Sequence, residues 1–443
     1  MSTPVSFVTK SVIATFLCIL ASSTLFSQPT KPLFVTYDID NFWKAFDNIK
    51  ITKDSLTQYQ ILNDSFISKG SPGLKDIMQA RRYTAKSYID AINKYPLFWE
   101  SIRQNTLTAK SLAQKIEAGV AKLKTLYPAL KPANIYFTVG AFRTPGTIMN
   151  GAVLIGSEMA LGDEKTVTTE FPKSLDFFKT YLLSNPVKKI VFLNLHEYVH
   201  TQQKGEGGYD LLSQSLFEGV AEFVAVVASS QSSPAPAISY GKINDKKIKA
   251  VFEKEMFSPW FYNWIWNDTI NEFKTRDLGY YMGYAIAEKY YNKTSDKKKA
   301  IKTLIELDYT NQEAIDSFIE KTGYFTAALA KLKEDFEKSR PTVVGIKEFP
   351  NGDQNVRPST SQITIHFSTK MDKRFSATDI SDLGKDYFPE ILSSVFAEDG
   401  MSITYNVKLI PGKRYKFYIW ESFRTERAIP LVKYLVDFYT STY

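Results

Sequence analysis

From Tyr37 to about Tyr127 apolar residues recur every three or four positions, the spacing that collects them on one face of a helix. The pattern predicts helices over residues 38–49, 55–68, 74–93 and 95–126, with a turn at Ser71, Pro72 and Gly73. Phe42, Trp43 and Phe46 give the first of these an aromatic stripe, which reads as core. At Ala133 the character changes. Residues 134–140 (NIYFTVG) and 151–156 (GAVLIG) are short apolar runs of strand type, joined by loop residues 142–147. Residues 151–156 are taken as the edge of this small sheet, with a fully paired internal strand as the alternative.

Helical spacing returns at Phe192, Leu195 and Val199, with Asn185 as a possible cap, Pro186 in the first turn, and Gly205, Gly207 and Gly208 as the stop. A second helix starts near Asp210 and turns Leu212, Ser215, Leu216, Val220, Phe223 and Val227 inward. Residues 229–239, rich in Ser, Pro and Ala, read as a surface loop. Five aromatics in residues 259–266 favour packing over a ligand platform. Further helices are expected from about 276 and over 295–307, 312–321 and 325–339. Beyond Arg340-Pro341 the period becomes two, over 342–348, 362–368, 402–409 and 414–420, with turns at Pro350-Asn351-Gly352 and Pro411-Gly412. Short strands in that number suggest a β-sandwich. The expected fold is mainly α, of α+β class: a helical domain with a small sheet (28–340), then an all-β domain (341–443).

At 443 residues, two or three domains are the prior. Residues 1–27 hold one lysine, an apolar run too short for a comfortable membrane span, and a small polar stretch, the make-up of a secretory signal peptide. Leu17 before Cys18 argues against a lipoprotein. Cleavage removes Lys10 and the sole cysteine, so the net charge goes from +8 to +7 and no disulfide can form. The expected product is exported, periplasmic or extracellular, with cell-envelope association open. Its positive charge is dispersed over lysine-rich helix faces, and no nucleic-acid motif accompanies it.

Of the three histidines, His196 and His200 lie four apart, so on a helix both face one point, with Glu197 turned about 100° from His196. This is the HExxH pattern of zinc peptidases. Catalytic zinc takes three protein ligands. His366 alternates with Ile365 and Phe367 and so faces outward in the β region, and Cys18 lies in the leader, which leaves a carboxylate. Glu218 is favoured, because a helix, a glycine turn and an antiparallel return bring it opposite the histidines. Glu206 is the rival, in a spacing that has Gln203 where a tight-turning glycine is needed. Glu222, one turn beyond Glu218, is placed to accept from a ligand histidine. Stabilising an oxyanion beside the metal calls for a tyrosine or arginine, and Tyr281, Tyr280 and Arg276 are the candidates, in that order.

HEYVH followed by EGVAEF (218–223) resembles the HExxH and EGxAE(F/Y) pair of bacterial predicted Zn-dependent proteases of gluzincin type, which are similar to gliding-motility lipoproteins. GYYMGY (279–284) looks like their GYxxGY stretch, and Asn41-Phe42-Trp43 like their N-terminal element. The resemblance covers roughly residues 35–335, and residues from Pro341, with FSTKMD (367–372), look like a bacterial Ig-like domain. It implies a zincin-like metalloprotease domain with one Zn²⁺ per chain on His196, His200 and Glu218, Glu222 behind them, and a peptide or protein substrate. The sequence departs from better-known gluzincins in a shorter spacing to the third ligand and in the absence of an evident oxyanion donor. A non-catalytic envelope or surface protein, with a structural zinc site and an Ig-like partner-binding domain, is the alternative.

Overall fold

The computed structural model describes residues 34–205, 207–267 and 271–443. The leader with Cys18 lies outside the described residues, as does Glu206. Strand β1 (Phe34–Val35) precedes helices α1 (Tyr37–Ile49), α2 (Ser55–Leu62), α3 (Pro72–Ala80), α4 (Ala85–Lys94), α5 (Pro96–Leu107) and α6 (Ala109–Leu126). Two long helices expected from periodicity are each broken in two. Arg82 turns with φ +51°, and Thr84 Oγ1 caps α4 by accepting from Ser87 N at 3.2 Å. Pro96 begins α5, and Thr108 separates α5 from α6. Apolar spacing continues across both breaks because the halves face one core, so it reports the face and misses the cap. Phe42, Phe46, Phe98 and Trp99 are wholly buried there, with the Phe42 and Trp99 rings 4.7 Å apart.

The first sheet has the order β1-β2-β4-β3, with β2 Ile135–Thr138, β3 Gly146–Met149 and β4 Ala152–Gly156. This corrects the expected edge. Val153 of β4 pairs with Ile135 on one side and Ile148 on the other, so the edge is β3, antiparallel to β4. An edge strand with Gly, Pro and Asn around it looked like a loop in the sequence.

After the short α7 (Ser157–Ala160) and α8 (Asp176–Leu183), Pro186 opens a 3-10 turn that leads into α9 (Ile190–His200). Asn185 has φ +55° and does not cap. Asp210 does cap α10 (Leu211–Ser229), accepting from Ser213 N at 2.8 Å. α10 is long and apolar enough to cross a membrane on composition, but 89% of its most apolar window is buried inside the fold. The Ser/Pro/Ala stretch is loop only to Ala235, since Pro236 starts α11 (Pro236–Phe252). Helices α12 (Leu278–Lys293), α13 (Lys297–Glu306), α14 (Gln312–Thr322) and α15 (Leu329–Ser339) complete the helical part.

Residues beyond 341 form two antiparallel sheets around a core of their own. One has the order β5-β6-β9-β8 (Val343–Ile346, Gln362–Phe367, Ser402–Lys408, Glu390–Phe396), the other β11-β10-β7 (Tyr434–Tyr439, Arg414–Ile419, Thr378–Ile380). Ile363, Ile365 and Phe367 point into this core and His366 does not. The aromatic run 259–266 packs against this unit: the Arg424 guanidinium lies 4.0 Å from the Trp260 ring centroid, and Arg427 Nε donates to Glu255 Oε1 at 2.6 Å.

Candidate metal centre

α9 and α10 are packed side by side, which sets the end of one against the middle of the other. His196 and His200 share a face of α9, and their Nε2 atoms lie 3.1 Å apart. Glu218 Oε2, from α10, is 3.6 Å from His196 Nε2 and 3.3 Å from His200 Nε2. One donor atom from each of the three residues falls within 4.8 Å of the others, and all three side chains are buried.

The far side of each imidazole has its own partner. His200 Nδ1 lies 2.6 Å from Gln203 Oε1, and the Gln203 amide is oriented because its Nε2 donates to Phe217 O at 2.9 Å. His196 Nδ1 lies 3.0 Å from Glu222 Oε2, off the axis of a straight hydrogen bond. Glu222 is held by the Ser233 hydroxyl, which donates to Oε1. Gln203 favours the proton of His200 at Nδ1, and the Glu222 carboxylate beside His196 Nδ1 favours the same tautomer there, which turns two Nε2 lone pairs toward a carboxylate oxygen. Three such acceptors cannot share one buried point without positive charge, which a metal ion or a proton must supply. The electrostatics agree. Burial would lower the His196 pKa, but Glu218 and Glu222 reverse that and carry it up to about 10. Burial would raise Glu218, yet His200 and His196 hold it well below the carboxylate range. The donor set fits a metal ion: two imidazole nitrogens, one carboxylate oxygen and a partner on the far side of each ring.

Ring contacts fix the two histidines further. Phe217 stacks on His200 at 4.6 Å between centroids, and Tyr280 lies parallel to His196 at 6.2 Å. Gln214 Nε2 approaches Glu218 Oε1 at 3.4 Å. Glu197 reaches β3, where a Cβ built on Gly146 would lie 2.9 Å from Glu197 Oε1. Glycine at 146 leaves that room. The Glu197 carboxylate accepts no hydrogen bond from protein donors among the described residues, and its pKa is raised by burial against the pull of His196 and His200.

The tyrosines sort differently from their sequence order. Tyr281 was the first candidate for the oxyanion, but it faces α11: its hydroxyl donates to Asp245 Oδ1 at 2.8 Å and its ring covers Gly241. Its successor in the ranking, Tyr280, is the one brought to the cluster, since neighbours on a helix diverge by about 100°. Its oxygen accepts from Trp266 Nε1 at 3.2 Å, and burial and Glu218 raise its pKa well above the ordinary phenol value. Arg276 pairs with Asp277 at 3.0 Å.

Sequence reasoning missed Gln203, Trp266 and Gly146. Gln203 was readable from its place one turn after His200; the other two come from distant segments and had no local signal.

No family model matches the chain, and no curated protein matches it. Among solved structures, the N-terminal part of the bacterial S-layer protein SbsC aligns at 10% identity over 92% of this chain and 78% of that one, with a TM-score of 0.18. The S-layer protein rSbsC(31-844) aligns at 12% identity over 74% and 46%, with a TM-score of 0.17. Scores at that level carry no argument about fold or function.

Proposed function

We propose that this chain is an exported zinc-dependent peptidase of gluzincin type, with His196, His200 and Glu218 as ligands and an Ig-like domain after residue 340. The observation that carries the reading is Glu197: a buried carboxylate without a protein donor, one residue from a metal ligand, lying against the edge strand β3. A purely structural metal site has no use for such a group.

When bound, zinc would polarise a scissile carbonyl and make a water more acidic. Glu197 is the residue to take a proton from that water and hand it to the leaving nitrogen. The outer side of β3 pairs with no further strand among the described residues and is suited to an extended peptide added as one, which would displace the Thr144 hydroxyl from Gly146 O, and Gly146 lets that peptide approach Glu197. Glu222 and Gln203 orient the ligand imidazoles, and Tyr280 is the hydroxyl available for the oxyanion.

The test is elemental analysis of mature wild type and Glu197→Gln, then a peptide-library digest with and without chelator. One zinc per chain in both, with chelator-sensitive cleavage by wild type alone, is the expected result. Cleavage by Glu197→Gln at the wild-type rate sinks the mechanism, and zinc without cleavage leaves a structural site.

A further inference from the structure

Arg81 directly follows α3, and its backbone is fixed. Its N–H donates to Ile77 O at 3.0 Å, while the Arg81 and Arg82 carbonyls accept from Arg143 Nη1 at 2.6 and 3.0 Å. The side chain reaches the edge strand, where Nη2 donates to Thr147 Oγ1 at 2.7 Å. Thr147 follows Gly146, the residue against which Glu197 rests. Side chains alternate along a strand, so the guanidinium on Thr147 lies on the face of the sheet opposite to Glu197, one strand position away.

This arginine is half-buried, yet it makes no ion pair among the described residues. Nε is enclosed without an acceptor, and Nη1 has no protein acceptor, so Nη1 is the donor left accessible. A partly desolvated positive charge without a partner is costly, and a guanidinium is shaped to hold a carboxylate. The anionic groups of an unmodified peptide are carboxylates. A peptide lying along β3 passes Thr147 as it passes Gly146, and since its groups alternate between the two faces, one next to the position at Glu197 is turned to the face that carries Arg81.

We propose that Arg81 determines specificity at this site by pairing with a carboxylate of the peptide substrate, either an acidic side chain or the free chain end. The proposal rests on the peptidase reading.

The experiment measures binding by the zinc-loaded mature chain carrying Glu197→Gln, which removes turnover from the readout. The probes are labelled peptides of one frame, with Glu replacing Gln at each position in turn, and each made with a C-terminal acid or amide. One carboxylate form is expected to bind tighter on the order of tenfold. A gain from an internal Glu identifies an acidic side chain, and a gain from acid over amide identifies the chain end. Adding Arg81→Gln should abolish the preference, and Arg81→Lys should keep part of it. Absence of any carboxylate preference, from uniform or undetectable binding, overturns the proposal, as does a preference that survives Arg81→Gln. Thr147→Val separates charge from strand support: if it and Arg81→Gln weaken acid and amide peptides alike, Arg81 only props β3 and the proposal falls. Failure of the peptidase reading looks different, since wild type would then bind these peptides without cutting any of them.

Discussion

Gly219 of α10 and Gly283 of α12 meet backbone to backbone: a Cβ built on Gly283 would lie 3.0 Å from the Gly219 Cα and 1.8 Å from Ser215 O. One on Gly219 would lie 2.2 Å from Tyr284 N. The two helices cross at contact distance because neither carries a side chain there. The crossing also sets the metal centre, since Glu218 precedes Gly219 and Tyr280 lies one turn before Gly283. Gly283→Ala has only backbone to displace, so it should lose about 3 kcal/mol in urea unfolding and weaken zinc binding as Glu218 and Tyr280 separate. Gly345→Ala, with nothing within 4 Å of its Cβ, is the control and should stay within about 0.5 kcal/mol of wild type. Equal stabilities for the two variants would show that the crossing is not tight.

If zinc occupies the candidate centre as proposed, Gln203 and Glu222 would act on it only through the imidazoles they face, so their loss should appear in affinity and leave stoichiometry alone. Gln203→Ala and Glu222→Ala are each expected to weaken zinc binding by about 10- to 100-fold, measured by competition with a chromogenic chelator. His196→Ala should abolish it under the same conditions. An unchanged affinity in Gln203→Ala would mean that the Phe217 ring alone holds His200.

The part of this site readable in the sequence is the part built within one element or two consecutive ones. His196, Glu197 and His200 follow from helical period, and Glu218 with Glu222 from a helix, a turn and a return. What was not readable depends on distant segments. Gly146 looked like a turn residue, and only the sheet order makes β3 the edge. Tyr280 and Tyr281 are adjacent and chemically alike, so nothing local separates them until α11 covers one and α9 meets the other. The same limit shaped the fold: periodicity found the buried faces of α3 and α4 but ran through the break at Arg82, because both helices face one core.

Trp266 has a left-handed backbone, φ +55°, and is 55% exposed, with its indole N–H directed to the Tyr280 oxygen. By donating there it leaves the Tyr280 proton free to point elsewhere. If Tyr280 supports the oxyanion, Tyr280→Phe should lower kcat by about 10²-fold with little change in KM. Trp266→Phe, which keeps the ring and drops the N–H, should lower kcat by a smaller factor. Tyr281→Phe should instead reduce stability by about 1 kcal/mol through the lost bond to Asp245. Steady-state kinetics and thermal melts on the three variants decide it: a kcat loss confined to Tyr281→Phe would reverse the assignment.

Glu158 is fully buried and accepts from Gly140 N at 2.8 Å and Phe142 N at 3.2 Å, so it ties down the loop that leads into β3. Burial raises its pKa from 4.5 to about 7, against the pull of those two N–H groups. Between these values the folded state binds the proton and the unfolded chain does not, so the sign is fixed: the contribution of Glu158 to stability is highest below pH 4.5 and falls as pH rises toward 7. The full difference is about 3 kcal/mol, and Glu158→Gln removes it. Urea midpoints taken from pH 5 to pH 8 should therefore decline more steeply for wild type than for Glu158→Gln, with other titrating groups cancelling between the two. Parallel pH profiles would mean that Glu158 stays ionised in the fold, held by the loop amides strongly enough to offset its burial.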